Sequence, residues 1–174
     1  GEILQYTLNS LRCGTLSQVG AYFADSEIEN ADLRSRGKEP TKASVSLLND
    51  RRIKEVRTQA AGLLAEGVEH PKVAALEAVI RVNSGKKIIV FVEKRHSAKM
   101  IAERLNALSG ETNARVFIGK QAKAGEKGMS DKEQSSTIQD FKAGKFNILV
   151  ATQIAERGLH IPQVDMVAFY EPVS

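Results

Sequence analysis

Five consecutive apolar residues, Ile88–Val92, constrain the fold more than any other part of the sequence. A strand with one face in water alternates apolar and polar side chains, whereas an unbroken apolar run of this length is typical of a strand covered on both faces. Such strands belong to parallel sheets with helices packed above and below them. A second run, Ile148–Ala151, has the same character. We therefore expect a parallel sheet at the centre of the molecule.

Helical periodicity fills the intervals between the predicted strands. Apolar residues recur at spacings of three and four in the helical segments, and the last of these begins with a capping box of Ser130 and Glu133. The predicted order is a helix at 73–80, a strand at 88–92, a helix at 97–108, a strand at 115–118, a helix at 130–141, and strands at 148–151 and 164–169. This alternation predicts an α/β fold, a parallel sheet with flanking helices.

The first 70 residues have a different texture. One apolar stripe ends at Phe23, and a second runs from Leu47 to Leu64, with a Gly- and Pro-bearing break over 34–40 between them. We expect two amphipathic helices that pack as a pair. The chain is accordingly divided into a helical segment, 1–70, and an α/β part, 71–174.

Composition excludes several classes of protein. Hydrophobic residues make up 42% and charged residues 26%, which argues against a disordered chain, and a single Cys excludes a disulfide framework or a Cys-rich zinc site. No apolar run approaches the roughly 18 residues of a membrane span, and no signal-peptide pattern occurs at the start. We expect no membrane partner and a cytoplasmic protein, or a nuclear one in a eukaryote.

Charge is distributed unevenly. Residues 1–70 hold 9 Lys and Arg against 10 Asp and Glu, whereas residues 71–174 hold 16 against 11. The excess in the α/β part favours a surface that meets phosphates, and an ordinary solvated basic surface is the alternative.

The residues that activate a nucleotide are missing from this sequence. A phosphate-binding P-loop needs Gly-Lys followed by Ser or Thr, because that hydroxyl holds Mg²⁺. Gly-Lys occurs at 37–38, 85–86, 119–120 and 144–145, and none is followed by either residue. No acidic pair follows a predicted strand. We therefore predict neither catalytic nor metal-binding residues in this chain.

The stretch 148–162 runs from a buried strand through Ala151-Thr152 to Gly158-Leu159-His160-Ile161-Pro162. It resembles motif V of superfamily-two helicases, and 87–93 resembles motif IV, the first strand of their second RecA-like lobe. Within that superfamily the chain is most similar to the archaeal Hef and eukaryotic FANCM group of fork-remodelling DNA helicases. The likeness covers about 41–174, and its further stretches are 41–44 with 50–52, 70–72, 117–121, 128–134 and 169–173.

The resemblance implies that 71–174 is a RecA-like C-terminal lobe, truncated before motif VI, and that 1–70 is part of the helical insertion between two lobes. The parent would be an ATP-dependent helicase acting on forked or branched DNA in repair. Its N-terminal RecA-like lobe would be the partner of this one and would hold ATP and Mg²⁺. We expect no cofactor in this chain alone and no activity from it.

The resemblance also implies site residues. The matched positions for nucleic-acid binding are Thr152, Gln153, Gly119, Lys120 and Gln121. Those for nucleotide binding are Arg157, Gly158 and His160. A Thr hydroxyl at a strand end can donate to a phosphate oxygen without reading the base sequence. The alternatives are a threonine bonded within its own turn and a solvated lysine.

Two other functions remain open. The sensors of double-stranded RNA share this lobe pattern, so an RNA-directed helicase is one. His160 stands where the family commonly has Asp, and motif IV continues into Glu93-Lys94-Arg95 instead of small polar residues. These departures allow a degenerate, non-catalytic nucleic-acid-binding lobe.

Overall fold

The computed structural model describes residues 16–108, 110–121, 127–152 and 163–171. Within these ranges the elements follow in the order α1 (Leu16–Ser35), α2 (Lys42–Asn49), α3 (Arg51–Ala65), α4 (Pro71–Val82), β1 (Ile88–Val92), α5 (Arg95–Asn106), β2 (Ala114–Phe117), α6 (Asp131–Lys142), β3 (Ile148–Thr152) and β4 (Met166–Phe169). Among these helices none has both the length and the apolarity to cross a membrane. The chain divides between His70 and Pro71 into two compact units, which are described separately.

The helical unit is held together by a small apolar core. Phe23 of α1 is fully buried and packs with Ile53 of α3, and Leu47, Leu48 and Val56 surround the pair. Arg57 lies over the Phe23 ring at 5.6 Å and donates to both carboxylate oxygens of Glu27, at 2.5 and 3.1 Å. This hydrogen bonding lowers the pKa of Glu27. The apolar positions predicted before residue 16 lie outside the described residues.

The prediction of one continuous second helix is wrong. The stripe from Leu47 to Leu64 is divided at Asp50, whose backbone is extended and whose carboxylate accepts from the Arg52 amide at 2.8 Å. Thr41 caps α2 in the same way, accepting from the Ser44 amide at 3.2 Å. Both stretches that carried the resemblance in this unit therefore begin helices.

The second unit is built on a parallel sheet with strand order β2-β3-β1-β4. The register aligns Ile88 with Ile148 and Val92 with Thr152, so β1 and β3 begin and end together. β4 joins the other side of β1, with Phe169 opposite Phe91. The predicted α/β fold with a parallel sheet and flanking helices is confirmed.

Alternate side chains of each central strand point to opposite faces of the sheet. Ile88, Val90 and Val92 pack against α4 and α5 in one cluster. Ile89 and Phe91 belong to the other cluster, with Phe141 of α6. All five residues of β1 are buried, which is why the run carries no polar residue.

Element ends differ from the predictions by one or two residues. α5 begins at Arg95 instead of 97, and β4 begins at Met166 instead of 164. Periodicity identifies an element, but caps and pairing decide where it ends. Where the sequence contains a cap the prediction is confirmed: Glu133 donates its amide to the Ser130 hydroxyl at 3.3 Å and accepts from the Ser130 amide at 2.7 Å. Hydrogen bonds from the Ser130 hydroxyl and the Ser130 amide to the Glu133 carboxylate lower the pKa of Glu133.

Candidate nucleic-acid interface

The carboxyl ends of all four strands lie at one edge of the sheet, because all the strands are parallel. Thr152 ends β3 opposite Val92, the last residue of β1. Phe117 ends β2 opposite Ala151, so the loop that begins at Gly119 starts beside Thr152 on the neighbouring strand. Open parallel sheets bind their ligands at this edge. We call it the carboxyl edge.

Thr152 is only 3% exposed, so the residues around it control access to its hydroxyl. The residue that follows it, Gln153, lies outside the described residues, and so do Arg157, Gly158 and His160. The roles assigned to these four positions stay predictions.

The start of the loop after β2 is fixed by side chains of α5 and α6 and by Met129, which lies at the other end of the same loop. Arg95 Nη2 donates to the Gly119 carbonyl at 3.0 Å. Gln134 Nε2 donates to the Ile118 carbonyl at 2.8 Å, and the Ile118 amide donates to Met129 Sδ at 3.3 Å. The carbonyl oxygens at the beginning of this loop are thus turned toward the protein.

Gly128 packs directly against the same loop. A Cβ on Gly128 would lie 2.2 Å from the Lys120 carbonyl oxygen and 2.5 Å from that of Gly119. No side chain fits at such distances, so the close approach of the two backbone segments requires glycine. The stretches 117–121 and 128–134, which 122–127 separate in the sequence, are therefore in contact.

Lys120 and Gln121 are exposed, as expected for residues that meet a ligand. The Lys120 ammonium also forms an ion pair with the Asp131 carboxylate at the start of α6. The pair is more than half exposed on both sides, so its contribution to stability is small. A phosphate that binds Lys120 has to displace Asp131.

Sequence analysis missed a buried carboxyl group at the carboxyl edge. Glu171 follows β4, is 5% exposed, and accepts from the Glu93 amide at 2.8 Å. Burial raises the pKa of Glu171 to about 7. Its membership of the stretch 169–173 is the one signal in the sequence that marks it. Within the described ranges no group of three His, Cys, Asp or Glu side chains is placed to hold a metal ion.

Comparisons with known proteins identify the second unit. Residues 71–174 match the helicase conserved C-terminal domain. The crystal structure of the Pyrococcus furiosus Hef helicase domain superposes with a TM-score of 0.63 and 34% identity, covering 98% of this chain and 33% of that one.

Curated relatives are named as helicases of both DNA and RNA. A Methanocaldococcus jannaschii protein that carries the name of an ATP-dependent RNA helicase is 37% identical over 76% of this chain and 17% of its own length. The ATP-dependent DNA helicase mph1 of Sclerotinia sclerotiorum is 42% identical over 52% of this chain and 7% of its own. The ATP-dependent DNA helicase fml1 of Schizosaccharomyces pombe is 37% identical over 60% of this chain and 13% of its own length. The chain spans less than a fifth of the length of these relatives.

Proposed function

Because this chain belongs to the family of helicase conserved C-terminal domains, we propose that residues 71–174 are the second motor lobe of an ATP-dependent DNA helicase or translocase of the Hef type. Residues 1–70 are, in this proposal, part of the helical segment between the two lobes. DNA is favoured because the mph1 and fml1 relatives are named as DNA helicases and the similar solved structure is that of Hef.

One observation carries the proposal: the parallel register brings Thr152 and the loop from Gly119 to Gln121 to the same edge of neighbouring strands. Exposed Lys120 and Gln121 can bond phosphate oxygens, and the Arg95 and Gln134 side chains hold the loop backbone that carries them. Contacts of this kind recognise the backbone of a nucleic acid and not its base sequence.

ATP and Mg²⁺ belong to the longer parent protein in this proposal. The described residues include no cluster fit to bind a metal ion, and the predicted nucleotide-binding residues lie outside them. No step of nucleotide chemistry is therefore assigned to a described side chain. In this proposal the lobe binds the nucleic-acid backbone while the orientation of this lobe relative to the first lobe changes.

Binding of short single-stranded oligonucleotides, followed by fluorescence anisotropy, tests the proposal. Affinity is expected to be independent of base sequence and to fall steeply between about 50 and about 200 mM salt. Gln121→Ala is expected to weaken binding about threefold, the loss of one polar contact. Gln139→Ala, which removes an exposed glutamine near the end of α6, is the matched control. Absence of binding at low salt, or equal losses in the two variants, would refute the proposed interface.

Hydrolysis of ATP tests the assignment as half of a motor. The 174-residue chain is expected to release no phosphate from ATP in the presence of DNA, whereas the parent with both lobes is expected to do so. DNA-stimulated turnover by the purified chain, retained through a second purification, contradicts the assignment. A silent parent would instead favour a degenerate binding lobe.

RNA is the second candidate substrate, because the relative from Methanocaldococcus jannaschii is named as an RNA helicase. Binding of the parent to forked DNA, linear duplex DNA and double-stranded RNA separates the candidates. Preference for the fork supports a role on branched DNA in repair. Preference for double-stranded RNA replaces DNA with RNA as the substrate.

A further inference from the structure

The turn between β1 and α5 collects buried polar atoms that have no hydrogen-bond partner. Three such side-chain atoms occur within the described part of the chain, and all three lie around this turn: Arg95 Nη1, His96 Nε2 and Glu171 Oε1. Folded proteins pair nearly all their buried polar groups, so a cluster of three unpaired atoms needs an explanation. The clustering of all three at the carboxyl edge directs attention to what this turn does.

Of these three residues, Glu171 is the one that is buried as a whole, whereas Arg95 and His96 are partly exposed. Its side chain is enclosed, with the residue 5% exposed. The charged groups that act on its carboxyl are Glu93, which opposes ionisation, and Lys72 and Lys94, which favour it. Burial outweighs them and raises the pKa of Glu171 to about 7. An apolar residue at this position would avoid that cost, so a glutamate here is not explained by packing.

What Glu171 holds is the first backbone amide after β1. Glu93 N–H donates to Glu171 Oε2 at 2.8 Å. The turn has no side-chain cap of its own, because Lys94 occupies the cap position of α5 and makes no capping hydrogen bond. The bond from Glu93 to Glu171 ties the turn to the end of β4.

The same turn reaches the predicted nucleic-acid loop on its other side. Arg95, two residues after Glu93, donates to the Gly119 carbonyl at 3.0 Å. Two hydrogen bonds thus connect the end of β4 to the turn after β1, and that turn to the loop after β2. β4 and β2 are the outer strands of the sheet, with β1 and β3 between them.

We infer that Glu171 is a positioning residue: by holding the Glu93 amide it fixes the turn from which Arg95 orients the backbone of Gly119–Gln121. The inference rests on the proposed function only in its last step, the contact of this loop with nucleic acid. Glu171 itself touches no nucleic acid in this scheme.

Three variants of the 174-residue chain test it. Glu171→Gln keeps an oxygen that accepts from the Glu93 amide, whereas Glu171→Ala removes the acceptor. Glu103→Ala removes an exposed carboxylate from α5 and is the matched control for the charge. The measurements are amide hydrogen exchange, followed by NMR, at Glu93 and Ile118, whose amides donate to Glu171 and to Met129 Sδ, and oligonucleotide affinity, followed by anisotropy. A thermal melt of each variant establishes that it is folded under the conditions used.

For Glu171→Ala we expect exchange about tenfold faster at Glu93 and Ile118, and oligonucleotide binding about three- to tenfold weaker. Glu171→Gln is expected to restore both to within about twofold of the unsubstituted chain. Unchanged exchange at Ile118 in Glu171→Ala, or equal loss in the Ala and Gln variants, overturns the inference. If the unsubstituted chain binds no oligonucleotide the proposed function fails, and the exchange at Ile118 still decides the role of Glu171.

Discussion

At the amino edge of the sheet, Asn147 and Asp165 bond the backbone of neighbouring turns, whereas at the carboxyl edge Arg95, His96 and Glu171 each bury a polar atom without a partner among the described residues. Asn147 donates to the Glu111 carbonyl and accepts from the Asn113 amide, both at 2.8 Å. Asp165 accepts from the Lys87 amide at 2.7 Å.

The connections at the two edges of the sheet also differ in length and in backbone conformation. Near the amino edge, Gly85, Gly110 and Gly144 adopt positive φ values of 77, 124 and 75°, which are typical of tight turns. A cavity of about 320 Å³ lies there, and its lining includes the backbone-bonding Asn147. The carboxyl edge has instead the long connection from Gly119 to Met129. The amino edge thus has glycine turns and hydrogen-bonded polar side chains, whereas the unpaired polar atoms of the described residues lie at the carboxyl edge, where we propose that the ligand binds.

Gly128→Ala is expected to have the largest effect, since its Cβ would lie 2.2 Å from the Lys120 carbonyl oxygen. The backbone must move, and we expect a loss of about 2–4 kcal/mol in the free energy of unfolding and about tenfold weaker oligonucleotide binding. Gly62→Ala in α3 is the control. Nothing lies within 4 Å of the Cβ that it introduces, so it should raise the free energy of unfolding by about 0.5–1 kcal/mol. Similar behaviour of the two variants in urea unfolding would show that the loop is not closely packed.

The pH dependence of stability tests the buried carboxyl group of the carboxyl edge. Burial raises the pKa of Glu171 from 4.5 to about 7, so the folded state binds this proton more tightly than the unfolded state. Its contribution to stability is complete below pH 4.5 and is lost as the pH rises through 7. The free energy of unfolding of Glu171→Gln, relative to that of the unsubstituted chain, should therefore rise by up to about 3 kcal/mol between pH 5 and pH 8. Parallel urea-unfolding profiles of the two proteins would show that Glu171 titrates normally.

Asn147→Ala tests the amino edge. It removes the bonds to Glu111 and Asn113, and we expect a loss of about 1–2 kcal/mol in the free energy of unfolding. Oligonucleotide affinity, measured well below the melting temperature, should not change. Asn83→Ala, whose amide donates within its own helical turn to Val79, should cost less. A selective loss of affinity in Asn147→Ala would break the distinction between the edges.

Asp131→Asn should produce the smallest change, and in the favourable direction. It releases the Lys120 ammonium from its ion pair, so a phosphate no longer has to displace a carboxylate. We expect about twofold tighter oligonucleotide binding and a steeper dependence of affinity on salt, by up to about one ion. Glu103→Gln, which removes an exposed carboxylate from α5, controls for net charge. An unchanged salt dependence would show that Lys120 does not contact the nucleic acid.

Prediction from the sequence was most successful where one segment carries the information. The run Ile88–Val92 predicted a strand buried on both faces, and it has the same bounds in the structure. Ser130 and Glu133 predicted the capping box because both partners lie within one helical turn. The break at Asp50 was missed because the apolar spacing continues across it, and only its extended backbone shows that it caps α3.

The candidate site was predictable in part. Thr152 ends β3 and Gly119 lies two residues after β2, and parallel pairing is sufficient to bring these strand ends to one edge. Arg95 was noted only as a departure from the family pattern, and Glu171 only as part of a matching stretch. Their hydrogen bonds join residues 24 and 78 positions apart, and no periodicity reports contacts of that range.

The order of apolar and polar residues determined the elements, the parallel sheet and the segments that leave its carboxyl edge, because burial on one or two faces restricts which residue types each position accepts. Tertiary structure alone decided which loop backbones touch, which carboxyl group is buried and which lysine is paired. Those properties depend on distances between segments, and the strand register sets these distances. The sequence alone does not distinguish one lysine or one glutamate from another, because it does not give those distances.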